Sequence, residues 1–147
     1  MKGFSNQFRD LPDYILKITQ EIWEDRGLAS LHHYYAPDIP MRFPSGLARG
    51  NQGVIDGTLA TLAEFPDRQL LGEDVIWSVD ADSGFLSSHR IVTTGTHTGH
   101  GAFGATTGKR FTIRAIADCA AINDQINDEW LVRDVGGIAR QLGFDPS

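Results

Sequence analysis

Asp134 closes an alternating run, Asp128-Glu129-Trp130-Leu131-Val132-Arg133-Asp134. In a strand, successive side chains take opposite faces, so Trp130, Val132 and Asp134 share one face and Glu129, Leu131 and Arg133 the other. With Trp130 turned to a cavity, Asp134 lines that cavity too. A carboxylate in apolar surroundings has its pKa raised by desolvation, which suits it to general acid/base catalysis near neutral pH. The competing reading is that Asp134 caps the helical turn after it. His97 is the second candidate. An imidazole with an ordinary pKa of about 6.5 can act as acid, base or oxyanion donor; alternatively it fixes the loop it opens. His97 and His100 stand three apart, but no third ligand accompanies them, so no metal site is expected. Arg114 and Asp118 share a strand face, four apart. They form either a buried or dimer-interface ion pair, or Arg90 and Arg114 hold an anionic or enolate oxygen. Trp130, Trp23, Phe43, Trp77 and Phe103 offer aromatic walls for a flat apolar ligand, or plain core packing.

These residues depend on the stretch Gly95–Lys109, GTHTGHGAFGATTGK, between two strand-like runs. Its small residues allow close approach to a ligand. Gly99-His100-Gly101-Ala102-Phe103-Gly104 matches the dinucleotide fingerprint GxGxxG, but that fingerprint must open a helix, and Phe111-Thr112-Ile113 continues as a strand. Gly108-Lys109 is not a phosphate loop, because Phe103 stands where its first glycine belongs and Arg110 follows the lysine in place of Ser or Thr.

The positioning elements read in two halves. Leu11–Arg26 carries an apolar stripe at helical spacing, Tyr14, Ile15, Ile18, Ile22 and Trp23, with Asp10 or Asp13 as cap and Gly27 as terminator. A short helix is expected over Leu28–Tyr35. The adjacent His32 and His33 point to different sides of it and do not share a ligand. Ile39–Phe43 reads as a short strand placed at an edge by Pro40, and Pro44–Gly50 as a loop. Asn51 is expected to cap a third helix running to Phe65, with Val54, Ile55, Leu59, Leu62 and Phe65 on one face. The period then changes to two: strands over Gln69–Asp80, Phe85–His97, Arg110–Ile122 and Gln125–Asp134, with turns at Ala81–Gly84 and Asn123-Asp124. Val135–Leu142 reads as a closing helical turn. Helices followed by an antiparallel meander make an α+β fold, a curved sheet covered on its concave side by the N-terminal helices, with an apolar pocket between them.

The chain of 147 residues is expected to form one domain, residues 1–10 being a loose lead-in. A net charge of −6 without a basic cluster argues against nucleic-acid binding. No apolar run approaches the ~20 residues that span a bilayer, and no apolar signal core opens the chain, so a cytoplasmic location without membrane contact is expected. Cys119 is the single cysteine, which excludes an internal disulfide, and it reads as a small buried hydrophobe.

GTHTG…TTGKR, the hairpin, and Glu129-Trp130…Asp134…Gly137…Gln141-Leu142-Gly143 together resemble the SnoaL-like polyketide cyclase family of the nuclear transport factor 2-like superfamily. The FPSGLARG segment and the strand ending Arg90-Ile91-Val92-Thr93-Thr94-Gly95-Thr96 belong to the same likeness, which runs from about Thr19 to Gly143. The resemblance implies a cone-shaped cavity under a curved sheet and a homodimer through that sheet. It also implies an acidic cavity residue that drives intramolecular aldol closure with no cofactor and no metal. Two relatives are disfavoured. The ketosteroid isomerases place their base just before a proline on the first strand, where this chain has Phe43 before Pro44. The limonene epoxide hydrolases place an aspartate two residues after the last-strand tryptophan, where this chain has Val132.

Three functions are compatible with this reading. The first is a cofactor-independent cyclase, isomerase or hydrolase acting on a hydrophobic carbonyl-bearing molecule, with Asp134 and His97 in the chemistry. The second is a non-catalytic small-molecule-binding protein with the same cavity, and the third is a dimeric interaction module.

Overall fold

The structure, a computed structural model, describes residues 5–80 and 84–145. Helix α1 spans Leu11–Thr19. Asp10 caps it, its carboxylate accepting from the Asp13 N–H at 2.8 Å, and Pro12 sits in the first turn, where a missing N–H costs nothing. A π-helical turn, Gln20–Glu24, prolongs it. Gly27 ends the run, since a Cβ there would lie 3.0 Å from the Glu21 carbonyl oxygen. A 3-10 turn over Leu28–Ser30 leads into α2, Leu31–Tyr34. Of the stripe expected at helical spacing, Tyr14, Ile15, Ile18 and Ile22 are buried, with Leu11 beside them, on the face that meets the sheet, and Trp23 is partly buried.

Strands β1 (Pro40–Phe43) and β2 (Gly46–Arg49) form a hairpin, so the segment expected as a loop contains a strand. Gly46, with φ of +141°, supplies the turn. β1 is therefore not an edge. β2 flanks it on one side and the last strand pairs with it in parallel on the other, and Pro40 is tolerated as the strand's first residue. Helix α3 runs Asn51–Glu64 with Gly50, not Asn51, at the cap position. The Asn51 amide instead donates to the Tyr35 carbonyl at 3.3 Å. Its buried face is Val54, Ile55 and Thr58, while Leu59 is exposed.

Strands β3 (Gln69–Asp80), β4 (Gly84–Thr96), β5 (Arg110–Ile122) and β6 (Gln125–Arg133) form an antiparallel meander. The turn at Ala81–Gly84 lies, apart from Gly84, outside the described residues. Asn123 and Asp124 take the positive φ expected of a two-residue hairpin turn, 52° and 65°. The six-stranded sheet has the order β2-β1-β6-β5-β4-β3, and helix α4, Val135–Leu142, closes the chain over one end. The fold is α+β, a curved mixed sheet with the N-terminal helices on its concave face.

Alternation along β5 identifies the faces. Phe111, Ile113, Ala115, Ala117, Cys119 and Ala121 are buried beneath the helices; Thr112, Arg114, Ile116 and Asp118 face outward. Among the described residues no helix is long and apolar enough to cross a membrane.

Candidate functional site

A β-bulge decides which residues of β6 enter the interior. From the turn, Ile122 pairs with Gln125 and Ala121 with Ile126; then Ala120 pairs with Asp128, leaving Asn127 without a partner. The extra residue reverses the facing of everything after it. Cys119 thus stands opposite Glu129, and Asp118 opposite Trp130. Glu129, Leu131 and Arg133 point into the cone; Trp130 and Val132 point out, 54% and 66% exposed.

The interior is a funnel. Its mouth, about 450 Å³, lies between α3, α4 and the loop carrying Gly101, Ala102 and Phe103. Phe43, Gly57, Thr61, Arg68 and Arg133 form the neck, common to the mouth and to an inner chamber of about 120 Å³. A Cβ at Gly57 would meet nothing within 4 Å, so the glycine leaves the neck open. Beyond Trp23, Met41, Thr58 and Leu131 the chamber continues to a deep end of about 80 Å³, where Tyr35, His89 and Glu129 converge. Together these spaces suit a small apolar molecule.

Glu129 is 5% exposed. Burial pushes its carboxyl up to about 7, against a weaker downward pull from hydrogen bonds with Tyr35 and Cys119. The Cys119 thiol lies 3.8 Å from Oε1, and Oε2 is buried with no protein partner. Tyr35 and Cys119 are themselves held well above their ordinary values by burial, with the Glu129 charge adding to it, so both remain donors. Burial pushes the His89 imidazole down to about 4, leaving it neutral near pH 7. Neither of its ring nitrogens has a well-aligned protein partner. The deep end therefore offers a carboxylate that both gives and takes a proton near neutrality, beside polar atoms free to meet a ligand.

The residues expected to do chemistry are placed elsewhere. Asp134 does not line the funnel. It is the N-cap of α4, accepting from the Gly137 N–H at 2.7 Å, with the Arg140 guanidinium at 3.9 Å. A cap carboxylate sits at the helix N-terminus, where its charge faces unpaired N–H groups. His97 is wholly buried. Its Nδ1 accepts from the Thr107 N–H at 3.2 Å, which puts the proton on Nε2, 3.2 Å from Glu64 Oε1. Glu64 also accepts from the Phe103 N–H at 3.0 Å. His97 and Glu64 thus tie the 98–108 loop to the end of α3. The loop's glycines serve the same closeness: a Cβ on Gly99 would lie 1.7 Å from the Ala63 carbonyl oxygen.

Trp23 and Phe43 line the inner chamber, and Phe103 the mouth. Trp130 instead stacks on the Arg42 guanidinium at 4.4 Å, outside the sheet. Trp77 packs on Phe85 beyond the helical cover, 46% exposed. Arg90 and Arg114 also face outward. Arg90 pairs with Glu73 at 2.6 Å and Asp74 at 2.5 Å, and Arg114 with Glu73 at 3.3 Å, not with Asp118. Among the described residues, no group of three His, Cys, Asp or Glu side chains assembles into a metal site. Glu129 and Arg133 were on the sequence's other face; Arg68, just after the Pro66-Asp67 turn, carried no signal beyond its charge.

A family profile described as SnoaL-like polyketide cyclase matches residues 13–142. Solved structures of similar fold include a proposed SnoaL-like polyketide cyclase from Jannaschia sp. CCS1, at TM-score 0.77 and 16% identity over 91% of this chain and 92% of that one. IdmH, a proposed polyketide cyclase from Streptomyces antibioticus, aligns at TM-score 0.76 and 24% identity over 90% and 97%. AclR, a proposed hydroxylase from Streptomyces galilaeus, aligns at 0.74 and 20% over 91% and 85%. No curated protein sequence matches significantly.

Proposed function

Because the chain belongs to the SnoaL-like polyketide cyclase family, we propose that it is a cofactor-independent acid/base enzyme acting on a hydrophobic, carbonyl-bearing small molecule within the funnel. The observation that carries this reading is Glu129, a cavity carboxylate with one free oxygen and a pKa near 7. Glu129 takes over the role expected of Asp134.

The chemistry follows from that group. Ionised Glu129 removes a proton from carbon next to a substrate carbonyl, leaving an enolate. The enolate carbon attacks a second carbonyl of the same molecule, one C–C bond forms, and the second oxygen becomes an alkoxide. The alkoxide takes back the proton from Glu129, so the step is a balanced isomerisation. The Cys119 thiol meets one carboxylate oxygen, Tyr35 lines the same deep end, and the apolar walls exclude water.

The test is solvent deuterium exchange at the acidic carbon of a bicyclic aromatic β-ketoester, followed by NMR. The wild-type protein should accelerate exchange over buffer, and Glu129→Gln should reduce that acceleration by roughly 10²–10⁴-fold. Asp134→Asn should retain it. Tight binding of the ester without accelerated exchange would leave a binding protein and remove the enzyme.

We further propose a homodimer through the outer sheet face. Ile76, Leu86, Ile116, Trp130 and Val132, all at least 41% exposed, border a shallow trough of about 510 Å³ there or lie beside it. Sedimentation should give twice the 16.2 kDa chain mass; a monomer at 100 µM, roughly the range where association of a patch this apolar would show, removes the dimer.

A further inference from the structure

The arginines of this protein are paired in an unexpected order. Most of those near the surface hold carboxylates, among them Arg42 with Asp128, Arg90 with Glu73 and Asp74, Arg114 with Glu73, and Arg140 with Asp134, while the exposed Arg26 donates to backbone carbonyls. The two at the neck of the funnel, Arg68 and Arg133, hold no carboxylate among the described residues. Arg68 is 4% exposed. Its Nε donates to Thr93 Oγ1 at 2.7 Å, and its guanidinium carbon lies 5.3 Å from the Phe111 ring. A hydroxyl and a ring face orient a cation without neutralising it. Arg133 Nε is buried with no hydrogen-bond partner among the described residues. The charge that acts on Arg68 is that of Arg133, of the same sign. Burial pushes both guanidinium groups down, Arg68 to about 10, which still leaves them protonated at neutral pH.

Two like charges brought together out of water cost folding energy unless something of opposite sign meets them. Among the described residues no carboxylate pairs with either, Glu64 at the mouth being turned to His97 and the Phe103 N–H, and both arginines line the neck that joins the mouth to the inner chamber. We propose that Arg68 and Arg133 form a carboxylate-binding subsite, so that the substrate is an apolar molecule carrying a carboxylate. The paired planar forks match a carboxylate bidentately. The apolar inner chamber suits a hydrophobic body better than a strongly hydrated dianion. The inference rests on the funnel being the substrate site and deepens it: gripping the carboxylate at the neck leaves the rest of the molecule directed at Glu129 or toward the mouth.

The experiment compares 2-naphthoate with the isosteric neutral 2-naphthamide by titration calorimetry at neutral pH. The wild-type chain should bind the acid at least about tenfold more tightly, in line with a charge-assisted pair. Arg133→Met should bring the two affinities together while leaving amide binding in place. That variant removes a side chain whose Nε is unpartnered and that holds no carboxylate among the described residues, so it should fold, which circular dichroism checks. Arg133→Lys, which keeps the charge but loses the fork, should keep a preference of a few-fold. Equal affinities in the wild type, no binding of the acid, or a preference that survives Arg133→Met overturns the proposal. So does inorganic phosphate binding more tightly than the naphthoate. Because binding is read without turnover, a chain that prefers the acid yet exchanges no protons keeps the subsite and loses the enzyme. A chain that exchanges protons through Glu129 without preferring the acid loses the subsite alone.

Discussion

Glu64 and Glu129 are the same residue in almost the same degree of burial, 4% and 5% exposed, and they do opposite things. Glu64 is spent on the fold: its Oε1 takes the Phe103 N–H at 3.0 Å and faces His97 Nε2 at 3.2 Å. His97 in turn takes the Thr107 N–H, and three aromatic rings surround it. Glu129 is less completely used. Tyr35 and Cys119 meet it, but one oxygen is left over, and its neighbouring histidine, His89, has no well-aligned partner. Burial alone does not mark a reactive group. What separates the two glutamates is place and partner: Glu64 binds the loop at the mouth, while Glu129 stands at the deep end with Oε2 buried and unpartnered.

The sharpest way to break that comparison is to titrate stability. Burial raises the Glu129 carboxyl from 4.5 to about 7. As pH rises through this window the unfolded chain gives up its proton first, so the folded state is progressively disfavoured. The stability that Glu129 contributes is complete below pH 4.5 and lost as pH rises through about 7. His89 acts in the other direction: held down at about 4 against 6.5, its contribution is present above 6.5 and lost as pH falls through 4. The wild-type profile alone therefore hides both. The difference between Glu129→Gln and wild type isolates one of them, and it should grow by about 3 kcal/mol in favour of the variant between pH 4.5 and pH 8. Urea unfolding across that range measures it. A gap that does not change with pH would make Glu129 an ordinary carboxylate and remove it as the reactive group.

The elements were legible because their signals are local. The stripe over Leu11–Trp23, the period of two after Gln69 and the Asn123-Asp124 turn each follow from a few neighbouring residues, and each is where it was expected. The family match rests on the same pattern taken whole. The site was less legible because one unpaired residue governs it. Without the bulge, continuing the hairpin register would set Trp130 opposite Ala117, inside the cone, as the alternation of β6 suggested. With Asn127 left over, Glu129 and Arg133 take that face instead. Nothing in the composition of Gln125–Arg133 announces a bulge. The mixture of a tryptophan on one face and two charges on the other even argues against the true facing, because a buried Glu and Arg are the rarer outcome. Two other errors share a cause: β2 hid in a glycine-containing segment that reads as loop, and the pairing of β1 with β6 joins residues far apart in the chain. Asp134 was the converse case, since the capping alternative was visible in the residue type and its position before a helix.

The milder test works from the other glutamate. Glu64→Ala removes the acceptor of the Phe103 N–H and the carboxylate that stands 3.2 Å from His97 Nε2, leaving one buried donor to find water or go unpaired. An unsatisfied buried donor costs about 1–3 kcal/mol, and local relaxation of the 98–108 loop recovers part of it, so a net loss of about 2 kcal/mol is expected. The loss should be local in origin. Hydrogen exchange should quicken at Gly99, which donates to the Glu64 carbonyl, at Phe103, and at Thr107 and Gly108, whose N–H groups meet His97. Amides of β5 and β6 around Cys119 and Glu129 should keep their protection relative to global unfolding. If instead the deep chamber loosened along with the loop, the two glutamates would belong to one cooperative unit. His97 would then act on the chemistry at a distance, through the packing of Phe65 and Phe111 between loop and sheet. A local response keeps it where its contacts put it, as the residue that closes the roof over the funnel's mouth.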